Sequence, residues 1–372
     1  MPDTRPGIKF NEEGVCQACV NYEKRKYIDW DDRWEQLEQL ADKYRNSNDS
    51  KYDCMIAGSS GKDSTYQVYV FKKLLKMNPL VVSVNNFSWT NTGWNNWNVT
   101  QNVFGVDVLR SCINPPTLKK MLRRGLERSI PNWIIDHALY SYPVRMATML
   151  KVPLLVYGEN VSYEYGGYQE EETPSAMNQI HNDVAKPIPF EDWCDNDLSI
   201  NELACIQYPT KKEMDDAKLN PIYLSYYINW SGYENAQKMK KFGWRDLNDT
   251  NEWHRDGFAE QYDQVDTVGY LVHPWFKFVK FGHYRTTDVL STWIREGRIT
   301  RKEAVEKVLE NDWKLDRKML FDFLSFIGYT EKQFWDIVDK YANRSIIEKR
   351  DGNWRLKPNV AEALRYGREV KE

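Results

Sequence analysis

The sequence predicts an α/β protein: a doubly wound, mostly parallel sheet with an anion-binding loop, a short cysteine-containing N-terminal segment and a largely helical C-terminal region. Three observations predict it. Short apolar runs at Cys54–Ala57, Leu80–Val84 and Val152–Tyr157 suit strands buried on both faces. Segments with helical spacing separate them, and alternating strands and helices make a parallel sheet. Beyond residue 220 the strand signal gives way to helical signals.

In chain order, residues 1–50 form the N-terminal segment. Pro2, Pro6, Gly7 and Gly14 predict loop up to residue 28, with Cys16 and Cys19 as one C-x-x-C pair. Asp31–Arg45 predicts a helix with Trp34, Leu37, Leu40 and Tyr44 on one face. Residues 51–205 are assigned to the domain that carries the anion-binding loop. Gly58-Ser59-Ser60-Gly61 follows the first strand, and Asp63 and Ser64 open a helix with apolar residues at Tyr66, Val70, Leu74 and Met77. Strand, small-residue loop and helix N-terminus together favour an anion. After Leu80–Val84, the stretch Phe87–Trp97 is too rich in Asn, Trp and Gly for a strand; it predicts a loop at the carboxyl edge, either lining a ligand or packing down its tryptophans. Val106–Leu109 predicts a third strand, Leu118–Arg128 and Ile130–Leu150 helices, and Val152–Tyr157 a strand ending at Gly158-Glu159-Asn160. Residues 170–220 show no clear strand order and predict an insert. Residues 206–372 form the mainly helical region, in which Thr300–Glu303 and Thr330–Gln333 are capping boxes. His273–Asp288 crowds charges among aromatics, compatible with a ligand-facing cluster or with a half-buried strand having a charged face.

Composition narrows the class. Fifty-one basic residues against 54 acidic ones give a net charge of −3, without the basic excess of a nucleic-acid binder. Six cysteines in 372 residues are no disulfide framework. No signal peptide or bilayer-length apolar run is evident, so the expectation is a cytoplasmic protein with no membrane or nucleic-acid partner. Fifteen tryptophans suit either a sugar-handling surface or packed cores.

Gly58 and Gly61-Lys62-Asp63 do not fit the Walker spacing. The order Ser59-x-Gly61-Lys62-Asp63-Ser64 resembles instead the PP-loop of the ATP pyrophosphatase superfamily, which splits ATP into AMP and pyrophosphate. The usual PP-loop has two glycines after its first serine; here Ser60 takes the place of one. Met1–Ile8, Gly14-Val15-Cys16-x-x-Cys19, the PP-loop, Gly158-Glu159-Asn160 and Lys280–Asp288 together resemble the N-acetyl sugar amidotransferase family along nearly the whole chain. That resemblance implies conversion of a sugar N-acetyl group into an acetamidino group in bacterial surface-glycan or flagellin-sugar pathways. It implies ATP and Mg²⁺ as cofactors, with ATP bordered by Ala57, Gly58, Ser59, Ser60, Gly61, Lys62, Asp63, Ser64, Val84, Asn85, Gly158 and Glu159. Asp63 and Glu159 are the implied Mg²⁺ ligands; Asp63, Lys62, Lys280 and Arg285 are the candidate catalytic residues; Trp94, Asn98, His283, Arg285 and Asp288 are substrate candidates.

Family members usually carry another C-x-x-C just ahead of Met-Pro-Asp-Thr. It is absent here, so either the start lies further upstream or the zinc site of Cys16 and Cys19 is incomplete; Cys194 and Cys205 are conceivable substitutes. The sequence offers no amino-terminal cysteine and no Gly-x-Cys-x-Gly elbow, which implies a separate glutaminase subunit as the ammonia source. The other partner implied is an N-acetylated sugar or sugar nucleotide; a homo-oligomer is compatible with the sequence, which does not fix the oligomeric state. Two further readings share the PP-loop: a tRNA-modifying thiolase, and a nucleotide-binding module without turnover.

Overall fold

The computed structural model describes residues 1–47, 50–167, 172–178 and 188–366. Helices α1 (Gln17–Lys24) and α2 (Trp30–Tyr44) precede the first strand. The predicted loop up to residue 28 is thus helical from Gln17; the amide groups of Cys19 and Val20 both bond Cys16 O and wind the chain directly after the cysteine. Helix α2 starts where expected because the Asp29 carboxylate caps the amides of Asp31 and Asp32.

Strand β1 (Cys54–Ala57) leads into α3 (Lys62–Tyr69), which runs on through one π turn at Val70–Leu74. Strand β2 (Pro79–Val84) is followed by α4 (Asn91–Phe104), capped by the Thr90 hydroxyl. Much of the predicted Phe87–Trp97 loop is therefore the first half of a helix. Its burial pattern explains the composition: Thr92, Gly93, Asn96 and Trp97 are buried, while Trp94 and Asn98 are exposed. Next come β3 (Asp107–Ser111), α5 (Pro115–Glu127), α6 (Trp133–Leu150), β4 (Leu154–Tyr157) and the short α7 (Val161–Tyr165). The described part of the 170–220 stretch includes 3₁₀ segments at Phe190–Trp193 and Ile200–Ile206, α8 (Lys211–Asp216) and, at its end, the strand β5 (Asn220–Tyr223).

The sheet has the order β3-β2-β1-β4-β5 with every neighbouring pair parallel. Doubly winding it places the carboxyl ends of β1 and β4 side by side at the point where strand order reverses, the standard ligand position of such sheets. β5 lies beyond residue 205, so the sheet is completed by chain assigned to the C-terminal region. β1, β2 and β4 are buried apart from Ala57 at the tip of β1, which accounts for their unbroken apolar runs.

The remainder is mainly helical: α9 (Gly232–Lys240), α10 (Leu247–Thr250), α11 (Val272–Phe281), α12 (Arg285–Arg295), α13 (Arg301–Asn311), α14 (Arg317–Ile327) and α15 (Glu331–Tyr341). A hairpin, β6 (Ile347–Arg350) and β7 (Asn353–Leu356), turns through Asp351 and Gly352 with φ of 51° and 75° before α16 (Pro358–Tyr366). Both predicted capping boxes are present at α13 and α15. The 272–288 segment is no strand; it is two helices broken at Gly282, whose φ of 73° ends α11. Trp275, Phe276, Phe278 and Val279 of α11 are buried in the same core that holds the sheet. No helix among the described residues is long and apolar enough to cross a membrane.

Candidate active site

The loop between β1 and α3 is organised largely by its own side chains. Ser64 Oγ accepts from Ser59 N at 3.2 Å and donates to Gly61 O at 3.1 Å. Gly58 N bonds Val82 O at 2.9 Å. A Cβ at Gly58 would sit 3.1 Å from Val81 Cγ1 and 3.2 Å from Ser64 Cβ, so backbone and helix approach there as only glycine allows comfortably. Ser60 has φ +65°, the left-handed region in which a glycine would be unstrained. Three bonds from outside the loop or from α3 hold Ser60 there: its Oγ to Gly93 O, and donations onto its carbonyl from Trp244 Nε1 at 3.1 Å and Thr65 Oγ1. The loop keeps a glycine-type bend without the glycine. The first intrahelical bond of α3 runs from Thr65 N to Gly61 O, so the amides of Lys62, Asp63 and Ser64 belong to the unpaired first turn.

Lys62 and Asp63 open into a cleft. Its walls are Glu159 after β4, Glu164 and Tyr165 of α7, residues 230–233 at the start of α9, Tyr262 and Asp263, and one face of α12 from Arg285 to Glu296; Tyr22 and Arg25 close it from the N-terminal segment. Lys62 Nζ bonds Asp63 Oδ2 at 2.5 Å and also pairs with Asp263, which in turn pairs with Arg285. Asn235 Nδ2 donates to Asp63 Oδ1 at 2.9 Å. Asp263 is presented by a tight loop: Glu260 Oε2 accepts the amides of Tyr262 and Asp263, and the fully buried Arg255 donates to the carbonyls of Glu260 and Asp263.

This chain of alternating charge sets the protonation states. Burial works against the Lys62 charge, but the Asp263 and Asp63 carboxylates outweigh it and hold Lys62 well above its ordinary range. Burial also works against Asp263, yet Arg285 and Lys62 hold it well below the usual carboxylate range. Glu159 has no ion pair among the described residues, and the Lys62 charge only partly offsets its burial. Burial first, and the nearby Asp63 charge second, push it up to about 7.

Among the described residues, no group of three or more His, Cys, Asp or Glu gathers as a metal site. Of the cleft carboxylates, Asp63 and Glu159 still fit Mg²⁺, which keeps waters and substrate phosphate oxygens and needs only one or two protein carboxylates. Among the described residues the ligand set of a closed four-ligand zinc site is not complete. Cys16 and Cys19 lie with Sγ atoms 3.5 Å apart, and no third ligand joins them among the described residues.

The other sequence candidates divide. Arg285 reaches the cleft. Asp288, on the next turn of α12, instead bonds Lys277 and, at 3.4 Å, Arg5 of the N-terminal strap. Arg285 and Asp288 therefore pair with separate partners, Arg285 with Asp263 and Asp288 with Lys277 and Arg5. Lys280 donates to Ser129 O at 3.1 Å and does not line the cleft; burial pushes it down to about 8. His283 is buried, and both ring nitrogens lack a partner among the described residues; burial pushes it down to about 3. Trp94 packs on Trp89 with centroids 5.1 Å apart and lies under Arg110. Asn98 is on the exposed face of α4. Val84, Asn85 and Gly158 end β2 and β4 at the sheet edge that carries the loop. Sequence reasoning missed Arg25, Tyr165, Asp263, Trp293 and Arg295. No local motif marks them; the nearest signal is the acidic, aromatic run Glu260–Asp266.

Residues 237–361 match the family model described as LPS biosynthesis protein WbpG-like, C-terminal domain. No curated protein matches the chain. The matched stretch supports an LPS-related biosynthesis family. It also supplies Asp263, Arg285 and Trp293, the wall of the cleft that faces the loop.

Proposed function

We propose that the chain is an ATP-dependent amidotransferase of lipopolysaccharide biosynthesis, acting on an N-acetylated sugar. One observation carries the reading: the PP-loop and its helix face, across one cleft, the very stretch that is similar to an LPS biosynthesis domain. The phosphate chemistry and the sugar-pathway likeness meet at Lys62, Asp263 and Arg285.

An amide oxygen is a poor leaving group. The acetamido oxygen attacks the α-phosphorus of ATP, the bond to the β-phosphate bridging oxygen breaks, and pyrophosphate leaves. The resulting O-adenylyl imidate is attacked at carbon by ammonia; AMP departs, one proton is lost, and an amidine remains. The protein's part is to align the reactants and neutralise developing charge. The amides of the first turn of α3, with Lys62, face the phosphates. Asp63 and Glu159 would hold Mg²⁺, which supplies charge neutralisation at the phosphate oxygens. Arg285 and the aromatics Tyr262 and Trp293 border the sugar side. A separate glutaminase subunit delivers ammonia.

The test is incubation with ATP, ammonium and an N-acetylated sugar nucleotide, followed by mass spectrometry and nucleotide chromatography. The expected result is a sugar lighter by about one mass unit, the difference between O and NH, with AMP and pyrophosphate formed in step. ADP as the main nucleotide product overturns the reading.

A further inference from the structure

The cleft wall opposite Lys62 contains an arrangement that ATP chemistry does not require. Arg25, Arg285 and Arg295 all line it. Each spends part of its guanidinium on the protein. Arg25 Nη1 grips both oxygens of Glu164, at 3.0 and 2.8 Å. Arg285 Nη2 holds Asp263, and Arg295 Nη2 donates to Glu164 O and Thr292 Oγ1. What remains is a set of buried N–H groups with no partner among the described residues: Nε and Nη2 of Arg25, Nε of Arg285 and Nη1 of Arg295. Arg25 is only 5% exposed.

Leaving a buried charged donor unpaired costs more than a neutral one, because the full desolvation penalty falls on the charge. One such group can be a packing accident. Three arginines from two distant parts of the chain, all short of acceptors and all on one cleft, form a receptor for oxygen anions, since the planar fork of arginine matches carboxylate and phosphate geometry. Neighbouring aromatics add flat surface: Tyr22, Tyr262 and Trp293 line the same cleft, and Trp293 stacks on Tyr262 with centroids 6.5 Å apart. An apolar ring face beside a guanidinium cluster suits a sugar ring that carries an anionic group.

We infer that Arg25, Arg285 and Arg295 form an oxyanion subsite that takes a carboxylate or phosphate group belonging to the sugar substrate, with Arg25 of the N-terminal segment as its specificity-determining residue. This rests on the amidotransferase reading for its place in the reaction, but the binding claim stands apart from turnover. It also gives the N-terminal segment a role: α1 packs on α7, so Arg25 and its Glu164 partner enter the cleft together.

Calorimetry on the full chain tests it without any turnover. The probes are a UDP-linked N-acetylhexosamine, the matching UDP-linked N-acetylhexosaminuronate, the free N-acetylhexosaminuronate, UDP and ATP. The variants are Arg295→Lys and the paired Arg25→Gln/Glu164→Gln, which leaves no buried carboxylate stranded. The expected result is that both variants weaken the anionic sugar probes by about tenfold to a hundredfold, the range of a charged bidentate contact, while ATP affinity stays within about twofold. Loss confined to the two uronates identifies the carboxylate as the anion held; equal loss for all UDP-linked probes identifies the diphosphate. Unchanged affinity for every sugar probe overturns the subsite, as does a parallel loss of ATP affinity, which would make these arginines part of the ATP site. Amidination of a neutral sugar with unchanged binding in the variants would overturn the subsite and leave the proposed function standing; anion-selective binding without amidination would do the reverse.

Discussion

The loop between β1 and α3 and the 280–288 segment are held in place by opposite kinds of contact. In the loop, bonds spanning a few residues set the geometry: Ser64 to Ser59 and to Gly61, Ser59 to Gly61. In the 280–288 segment nearly every polar contact is long-range: Lys280 to Ser129, Arg285 to Asp263, Asp288 to Arg5. The loop is a compact device that a local sequence can encode. The segment is a cluster only in sequence. Gly282 ends one helix and the next fans its residues out by about 100° each, so neighbours along the chain face different surroundings. Density of charge along a sequence therefore locates a site only where the backbone is a loop.

The sharpest test of the contrast is Asp63→Ala. It removes a carboxylate at the helix start, which is bonded to Lys62 and Asn235. AMP formation should fall by about 10³-fold, as for the loss of a group aimed at developing charge, with the folded protein retained; near-normal rates would mean that the loop is scaffold. Next, Arg285→Lys and Lys280→Ala separate the two ends of the segment. Arg285→Lys loses the planar guanidinium whose Nη2 holds Asp263 and should reduce sugar turnover by roughly 10²-fold with ATP binding kept, whereas Lys280→Ala should leave steady-state rates within about twofold. Equal losses in both would restore the segment as one site.

His283 provides a pH test of the same division. Its folded pKa is depressed by burial to about 3, below the ordinary 6.5, so the unfolded chain binds the extra proton and stability falls as pH drops through 6.5. In urea titrations, wild type should lose about 2 kcal/mol relative to His283→Phe between pH 8 and pH 5. Parallel curves would show that the ring is charged in the fold and paired with something. The smallest effect belongs to Ser60→Gly. Relief at φ +65° is offset by the lost hydroxyl contact and the greater freedom of the unfolded chain, so the net change should be within about 0.5 kcal/mol. A loss above about 2 kcal/mol would mean that the Ser60 hydroxyl, not the bend, holds the loop.

The sequence by itself determined the elements whose signals are local. Buried apolar runs announced β1, β2 and β4, capping boxes announced α13 and α15, and the small-residue run Gly58–Gly61 announced the turn from β1 into α3. A strand buried on both faces, a capped helix end and a helix-initiating loop each follow from a handful of neighbouring residues. Tertiary structure decided what depended on distant partners. Asn91–Phe104 became a helix because its Asn, Gly and Thr side could be buried against Arg245, Asp266 and Glu252. β5 joined the sheet because a paired edge was open beside β4. The cleft itself was illegible. Asp263 becomes a bridge only when the buried Arg255 and Glu260 shape its loop between Lys62 and Arg285, and Arg25 enters only when α1 docks on α7. Such charges are placed by desolvation and pairing across the fold, a cost that depends on three-dimensional surroundings and leaves no local pattern in the chain.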